Sequence, residues 1–276
     1  MGLHHKVLPP TIKVDQPSPM MDIEKSPFYV NTECRPWVRG NAHPRRASVS
    51  SFGFGGTNFH VTVEEYKGQG KSAWRLRNVP SELVVLGAKN AKGLENLCRD
   101  TAKNLDTKGV LTYLARTSQE NFDASSPARL AIVASDEKDL ETKLNYAAKS
   151  LFEKPDSGFS LPNGLFCTVE KADPGDIAFL FPGQGTSGCL DMGADLAMQF
   201  SDAMDVWDFS ASFDQKRGAK ELLHKVVFPI PVFNEKDKKN QEKKLTQTQW
   251  AQPAVMTTSL SMSSIAFSMF ALKGVS

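Results

Sequence analysis

An α/β fold is what this sequence predicts, on three observations. Between residues 83 and 169, short apolar runs of strand length alternate with segments whose apolar residues recur at helical spacing. Two extended segments flank a glycine-rich turn, Gly53-Phe54-Gly55-Gly56-Thr57-Asn58, and the second alternates apolar and polar residues with period 2. Near the end, a strand-length run at 177–181 meets further glycines and then helical patterns. The 276 residues, 40% hydrophobic and 23% charged, have the composition of a folded chain and the length of one large or two ordinary domains.

Residues 1–6 read as the end of a helix, cut short by Pro9-Pro10, since a proline biases its predecessor away from helical backbone. Residues 16–27 hold three prolines among turn formers and read as an irregular surface connection. Phe28-Tyr29-Val30 is short and apolar, and Pro36-Trp37 follows it. Residues 40–46 are polar and loop-like. Arg45 and Arg46, at the step from loop to strand, are expected to be solvated rather than to hold an anion. Beyond the glycine turn, Phe59, Val61 and Val63 alternate with His60, Thr62 and Glu64, as in a half-buried strand. Gly53, Gly55 and Gly56 free the backbone between the two strands, which makes a tight, mobile corner of structural or functional use. His60 is expected to be a satisfied structural histidine.

A composition break follows. Residues 66–79, with Gly68, Gly70 and several basic side chains, read as a linker. A strand is expected at 83–86, then a helix over 93–105 that aligns Leu94, Leu97, Cys98, Ala102 and Leu105. Val110, Leu111, Leu114 and Ala115 indicate a second helix, and 129–134 a second strand. Residues 136–151 repeat Leu140, Leu144, Ala147, Ala148 and Leu151 helically, and 165–169 give a third strand. No nucleophile, acid–base pair or ligand cluster shows in this third, which reads as a scaffold or spacer module.

In the last third, Gly183, Gly185 and Gly188 after the 177–181 strand spell G-x-G-x-x-G. The dinucleotide fingerprint requires a helix at once and an acidic residue about twenty positions on, at the end of a second strand. Asp202 and Asp205 fall instead in 195–209, a helical pattern, and Pro182 is foreign to the head of that motif. A nucleotide-binding oxidoreductase is therefore a minor alternative. Gln184, between two glycines, offers a main-chain N–H as an oxyanion donor, or the segment is a plain turn; the local pattern allows both. Residues 225–233 are apolar with breakers at Pro229 and Pro231, and 234–244, crowded with Lys, Glu, Asp and Asn, are expected to form a solvated loop. Serines and threonines interrupt 254–272, so it is expected to be a helix buried in a core rather than a membrane span.

Several function classes lose support. A formal charge of +2 gives no reason to expect nucleic acid or an anionic membrane as main partner. Cys34, Cys98, Cys167 and Cys189 lie far apart without a C-x-x-C pair, which argues against a zinc knuckle or a disulfide framework and suits a reducing, cytoplasmic setting. No metal site is expected, the N-terminus lacks the order of a signal peptide, and no G-x-S-x-G elbow occurs. Cys189 follows the second glycine turn near a possible helix start, where a thiolate would be stabilised, but a buried inert thiol is the stronger expectation.

Taken together, certain stretches resemble a known arrangement. Leu3-His4-His5-Lys6-Val7-Leu8-Pro9-Pro10-Thr11, Phe28, Asn31, Trp37, the run from Arg46 to Phe52 and the run from Gly53 to His60 resemble the C-terminal end of a β-ketoacyl synthase. The strands and helices after residue 82 resemble the synthase-to-acyltransferase linker of type I polyketide and fatty acid synthases. Phe179-Leu180-Phe181-Pro182-Gly183-Gln184-Gly185, Asp191-Met192-Gly193 and Gln252-Pro253-Ala254 resemble the first part of a malonyl-type acyltransferase. Residues 226–233 and 245–254 are most similar to polyunsaturated fatty acid synthases.

The resemblance implies three parts: 1–66 as the end of a thiolase-like ketosynthase fold, 67–172 as a small α/β linker module, and 173–276 as the first part of an α/β-hydrolase-like acyltransferase. It implies that Phe54 gates the acyl pocket, that Gly53, Gly55 and Gly56 give the gate its mobility, and that Asn58 holds the loop. It gives the Gln184 main-chain N–H to an oxyanion hole and places Gln252 along the acyl site. Gly185-Thr186-Ser187 departs from the commoner G-S-Q at that edge. The ketosynthase cysteine and histidines would lie before Met1 and the acyltransferase serine beyond Ser276, so the segment by itself is expected to be inactive. No cofactor is expected on the segment. The parent would use coenzyme A thioesters and the phosphopantetheine arm of an acyl carrier protein, with malonyl-CoA and acyl-CoA as substrates, and would be a homodimer completed by the missing halves of both domains. The alternative is a non-catalytic scaffold protein built on the linker module.

Overall fold

The computed structural model describes residues 1–40, 42–68, 80–105, 107, 109–170, 178–183 and 189–271. The chain divides into two units, one made of Met1–Arg77 with Phe179–Ser276 and the other of Asn78–Ala178.

The first unit begins with α1 (Gly2–His5), which ends at Lys6 in left-handed backbone, its N–H bonded to the Gly2 carbonyl. β1 (Val7–Leu8) pairs antiparallel with β2 (Arg35–Pro36), and two 3-10 turns, Pro19–Met21 and Ile23–Lys25, occupy the proline-rich connection. β3 (Arg46–Phe52) and β4 (Asn58–Glu64) form an antiparallel hairpin in which Val49 faces Val61, Ser50 faces His60 and Phe52 faces Asn58. The half-burial expected of this hairpin is not found: all of β4 and all of β3 except Ala47 are exposed. Alternation does sort the ribbon into an apolar face (Val49, Phe59, Val61, Val63) and a polar one. It says which face suits burial, while burial itself needs a second layer, and no described residue supplies one.

The second unit contains β5 (Glu82–Ala88), α2 (Ala91–Ala102), α3 (Val110–Glu120), β6 (Ala128–Ala134), α4 (Glu137–Glu153), β7 (Phe159–Leu161) and β8 (Leu165–Thr168). Its strands form one antiparallel sheet in the order β5-β6-β8-β7. Asn90 and Asp136 cap α2 and α4, each side chain accepting from the N–H three residues on. Leu94, Cys98, Leu130, Ile132, Leu140, Leu144 and Leu165, all 1% exposed or less, form the core between helices and sheet. β7, only three residues long, carries no period that sequence reading detects. In the β7–β8 turn Gly164 has φ +86°, and an added Cβ would lie 2.9 Å from that of Val133, so both backbone and packing call for glycine.

The first unit resumes with α5 (Ala194–Gln199), α6 (Ser201–Lys216), α7 (Leu223–Val227), α8 (Glu235–Leu245) and α9 (Thr248–Ala271). Residues 178–183 are not strand, against expectation. The single helix read at 195–209 is two, broken at Phe200, whose backbone is extended. The loop expected at 234–244 is α8. Its lysines, its glutamates and Gln241 favour helix, Asn234 accepts from the Asp237 N–H, and acidic residues lead while lysines close it. Charge count argued for exposure, and all but Leu245 on α8 is indeed only partly buried or exposed. The last helix starts before the expected 254 and carries Pro253 inside. It is buried on one side only: Ala251, Ala254 and Ser261 face the core, whereas Met256, Leu260, Met262 and Phe267 are exposed.

Trp207 centres this core with no exposed surface, its ring 4.6 Å from that of Phe228. Met204, Val227, Leu245 and Ala254 surround the pair, and Val38, from the N-terminal part, joins them. Among the described residues no helix is long and apolar enough to cross a membrane.

Candidate functional site

The hairpin is held at its base by Arg45. Its side chain has no exposed surface, contrary to the solvated arginine expected there, whereas Arg46 beside it is half-exposed and pairs with Glu64 at 2.7 Å. Arg45 Nη1 donates to both Glu65 oxygens at 2.9 and 3.1 Å, and Nη2 to both Asp208 oxygens at 2.7 Å. The Glu65 N–H returns to the Arg45 carbonyl at 2.8 Å. Arg39 adds its N–H to Asp208 at 2.9 Å and its Nε to Glu65 at 3.3 Å. Two arginines and two carboxylates thus fix β3 and the end of β4 to α6. Burial would raise the Glu65 pKa, but the charge and hydrogen bonds of Arg45, with Arg39, hold it below the usual carboxylate value.

At the other end of the hairpin the Gly53 N–H donates to Asn58 Oδ1 at 3.3 Å, across the glycine-rich turn. Phe54 is fully exposed, and nothing lies within 4 Å of where a Cβ on Gly55 would stand. The described part of the chain therefore leaves Gly53, Phe54, Gly55, Gly56 and Asn58 uncovered. His60 Nδ1 bonds Ser50 Oγ across the strands at 2.8 Å, and Ser48 Oγ bonds Thr62 Oγ1 at 2.9 Å. His60 is partnered, as expected, but by a surface ladder.

Gln252, in the second turn of α9, borders a cavity of about 380 Å³ whose other walls include Phe181, Pro182, Gly183, Val255 and Ser259. Gln252 is thus brought beside the segment that leads to Gln184. Gln184 itself lies outside the described residues.

The thiols divide by environment. Cys98 and Cys167 are buried, and burial pushes them up to about 12 and about 11, so both stay protonated near neutral pH. Cys189 is exposed, not the buried thiol expected, and so is Cys34. No described cysteine is hydrogen-bonded to an imidazole, and no described cluster of His, Cys, Asp and Glu could hold a metal ion. Sequence reading missed the Arg45–Asp208 pairing. The two residues are 163 positions apart, and the one local signal is an arginine just before β3 with a glutamate just after β4, at the two ends of one hairpin.

Residues 17–133 match the family described as ketoacyl-synthetase C-terminal extension. The chain is 31% identical, over 94% of its own length, to one subunit of the polyunsaturated fatty acid synthase of Thraustochytrium, and spans about a tenth (10%) of that relative. It is 43% identical over 127 residues, 44% of its length, to polyketide synthase PksL of Bacillus subtilis, of which it covers 3%. Among solved structures, it is similar to a ketosynthase from module 6 of the B. subtilis bacillaene synthase, with 35% identity over 54% of this chain and 26% of that one, at a TM-score of 0.24. It is also similar to the acyltransferase domain of an iterative polyketide synthase in enediyne biosynthesis, with 28% identity over 33% and 24%, at a TM-score of 0.32.

Proposed function

We propose, given that this chain belongs to the type I polyketide and polyunsaturated fatty acid synthase family, that it joins a condensing domain to an acyl-loading domain and lends walls to both of their sites. The observation that carries this is the order of two motifs on one chain, the glycine loop from Gly53 to Asn58 and the sequence Phe181-Pro182-Gly183-Gln184-Gly185, on either side of a separate α/β unit.

In this reading residues 1–66 close a thiolase-like ketosynthase, 67–172 form the linker module, and 173–276 open a hydrolase-like acyltransferase. The parent protein loads malonyl groups from coenzyme A onto the phosphopantetheine arm of a carrier protein. It then condenses them with an acyl chain by decarboxylative Claisen chemistry, as a cytoplasmic homodimer. Phe54 gates the condensing pocket. Its full exposure and the open space at Gly55 give the ring room to swing, while the Gly53–Asn58 bond holds the ends of the loop together. The Gln184 main-chain N–H donates to the oxyanion of the loading step, and Gln252 lines the acyl site from α9.

Neither half-reaction runs on these residues alone, because the sequence holds no serine elbow and no described thiol is paired with a base. The test has two arms. Incubated with labelled malonyl-CoA, the 276-residue chain is expected to take up no covalent label. In a synthase that contains this segment, Phe54→Ala is expected to change condensation while malonyl loading stays the same. Label on the isolated chain, or condensation indifferent to Phe54, would overturn the proposal.

A further inference from the structure

A second cavity, of about 470 Å³, opens where β2 meets α7 and α8, and Arg35, His224, Lys225 and Lys244 all face it. Arg35 is only 8% exposed. Its Nη2 donates to the Phe228 carbonyl, and Nη1 reaches Tyr29 Oη at 3.5 Å, the guanidinium lying 5.8 Å from that ring's centre. Neither partner is a carboxylate. The buried Arg35 Nε and the buried His224 Nδ1 both have no hydrogen-bond partner.

A buried cation without a counter-charge is costly, and so is a buried ring nitrogen without a partner. The carboxylates nearby are engaged or unsuited. Glu221, the one acidic wall residue, is paired with Lys244 at 2.6 Å. Asp214 accepts from the Leu223 N–H and pairs with Arg217. Asp191 feels Arg35 only at longer range, and burial raises its pKa. Burial, with Lys225 beside it, also drives the His224 pKa down to about 4, so the ring is neutral near pH 7 and available as a donor or an acceptor. Trp37, Phe228 and Ile230 supply apolar wall.

We propose that this cavity binds a phosphate monoester, its phosphate held by Arg35, Lys244 and the His224 Nδ1–H, and its organic body laid against Trp37 and Ile230. A guanidinium fork, a lysine and a neutral N–H donor match the several acceptor oxygens of a phosphate dianion better than the two of a carboxylate. The volume falls within the range of small-molecule sites. The site is argued without reference to the synthase reading and stands or falls apart from it.

The test is an NMR titration of the full chain, following the His224 ring resonances identified by their loss in His224→Gln. Inorganic phosphate and adenosine monophosphate should both move them, the nucleotide at lower concentration. Adenosine and acetate at matched ionic strength should not. Arg35→Gln should weaken both ligands by about tenfold or more. Should that variant not fold, Lys244→Met, at a residue already part-exposed, should weaken them in the same direction. Unmoved His224 resonances, an equal response to acetate, or unchanged binding in folded Lys244→Met would overturn the proposal.

Discussion

Arg45 Nη2 lies 2.7 Å from both oxygens of Asp208, a two-pronged contact across 163 residues of sequence. It joins the base of an exposed hairpin to a helix of the Trp207 core, inside a unit assembled from both ends of the chain. A buried pair of this kind adds little over a well-packed apolar substitute, but losing one partner strands the others.

Arg45→Met should therefore destabilise the first unit by about 3–5 kcal/mol, since Glu65 and Asp208 would be left facing each other with only Arg39 to answer both. Asp208→Asn should cost less, because Glu65 still answers the guanidinium. Urea titration followed by tryptophan fluorescence measures both, and a loss below about 1 kcal/mol for Arg45→Met would deny the network its structural role.

Acid should loosen the same unit. Glu65 has a folded pKa held below the ordinary 4.5 by Arg45 and Arg39, against the opposing pull of burial. Its contribution is in full force above the unfolded value of 4.5 and is lost as pH falls through the lower folded value. Urea midpoints should fall as the pH drops below that range. Glu65→Gln should be less stable at pH 7 and show a shallower acid slope; an identical slope would sink the assignment.

Leu144→Ala, at a residue with no exposed surface in the second unit, should cost that unit about 2–5 kcal/mol. All four tryptophans, Trp37, Trp74, Trp207 and Trp250, belong to the stretches of the first unit, and Asn78–Ala178 contain none. Far-ultraviolet circular dichroism should register the earlier melting while the fluorescence transition stays in place. A matching shift in fluorescence would show that the two units unfold as one.

Thiol labelling should split the cysteines two and two. Cys34 and Cys189 are exposed and should react promptly in native protein. Cys98 and Cys167, buried and held protonated, should react only after the second unit opens. In Leu144→Ala the slow pair should become faster, which ties the two measurements together.

The second unit was legible because its signals are local. Asp136 and the spacing Leu140, Leu144, Ala147, Leu151 announce α4 within one stretch, and the strands at 83–86 and 129–134 pair as neighbouring elements do. The hairpin was legible as a hairpin, but its exposure was not, because alternation at Phe59, Val61 and Val63 is the same whether or not a layer covers it. α8 differs from the loop expected at 234–244 because lysines and glutamates report solvent contact and helix propensity together, and the loop reading rested on the charge alone. Arg45 and Arg35 were illegible for another reason: their partners, Asp208 and Phe228, lie 163 and 193 residues away, and no local pattern spans that interval. Of the candidate site, the Gly53–Asn58 tie and the position of Gln252 beside Phe181–Gly183 are on view, while Gln184 falls outside the described residues.

A unit assembled from both ends of a chain also sets an order of events during synthesis. Leaving the ribosome, Arg45 appears long before Asp208, so its guanidinium and the bare hairpin above it must wait. The residues of the second unit are contiguous, and it can fold to completion in that interval. Doing so replaces about a hundred flexible residues with a finished body and lessens the loop entropy that later opposes the closing of Arg45 onto Asp208. Mutations that slow the second unit should therefore lengthen the time the hairpin is open to chaperones and proteases, even where they leave the finished first unit untouched.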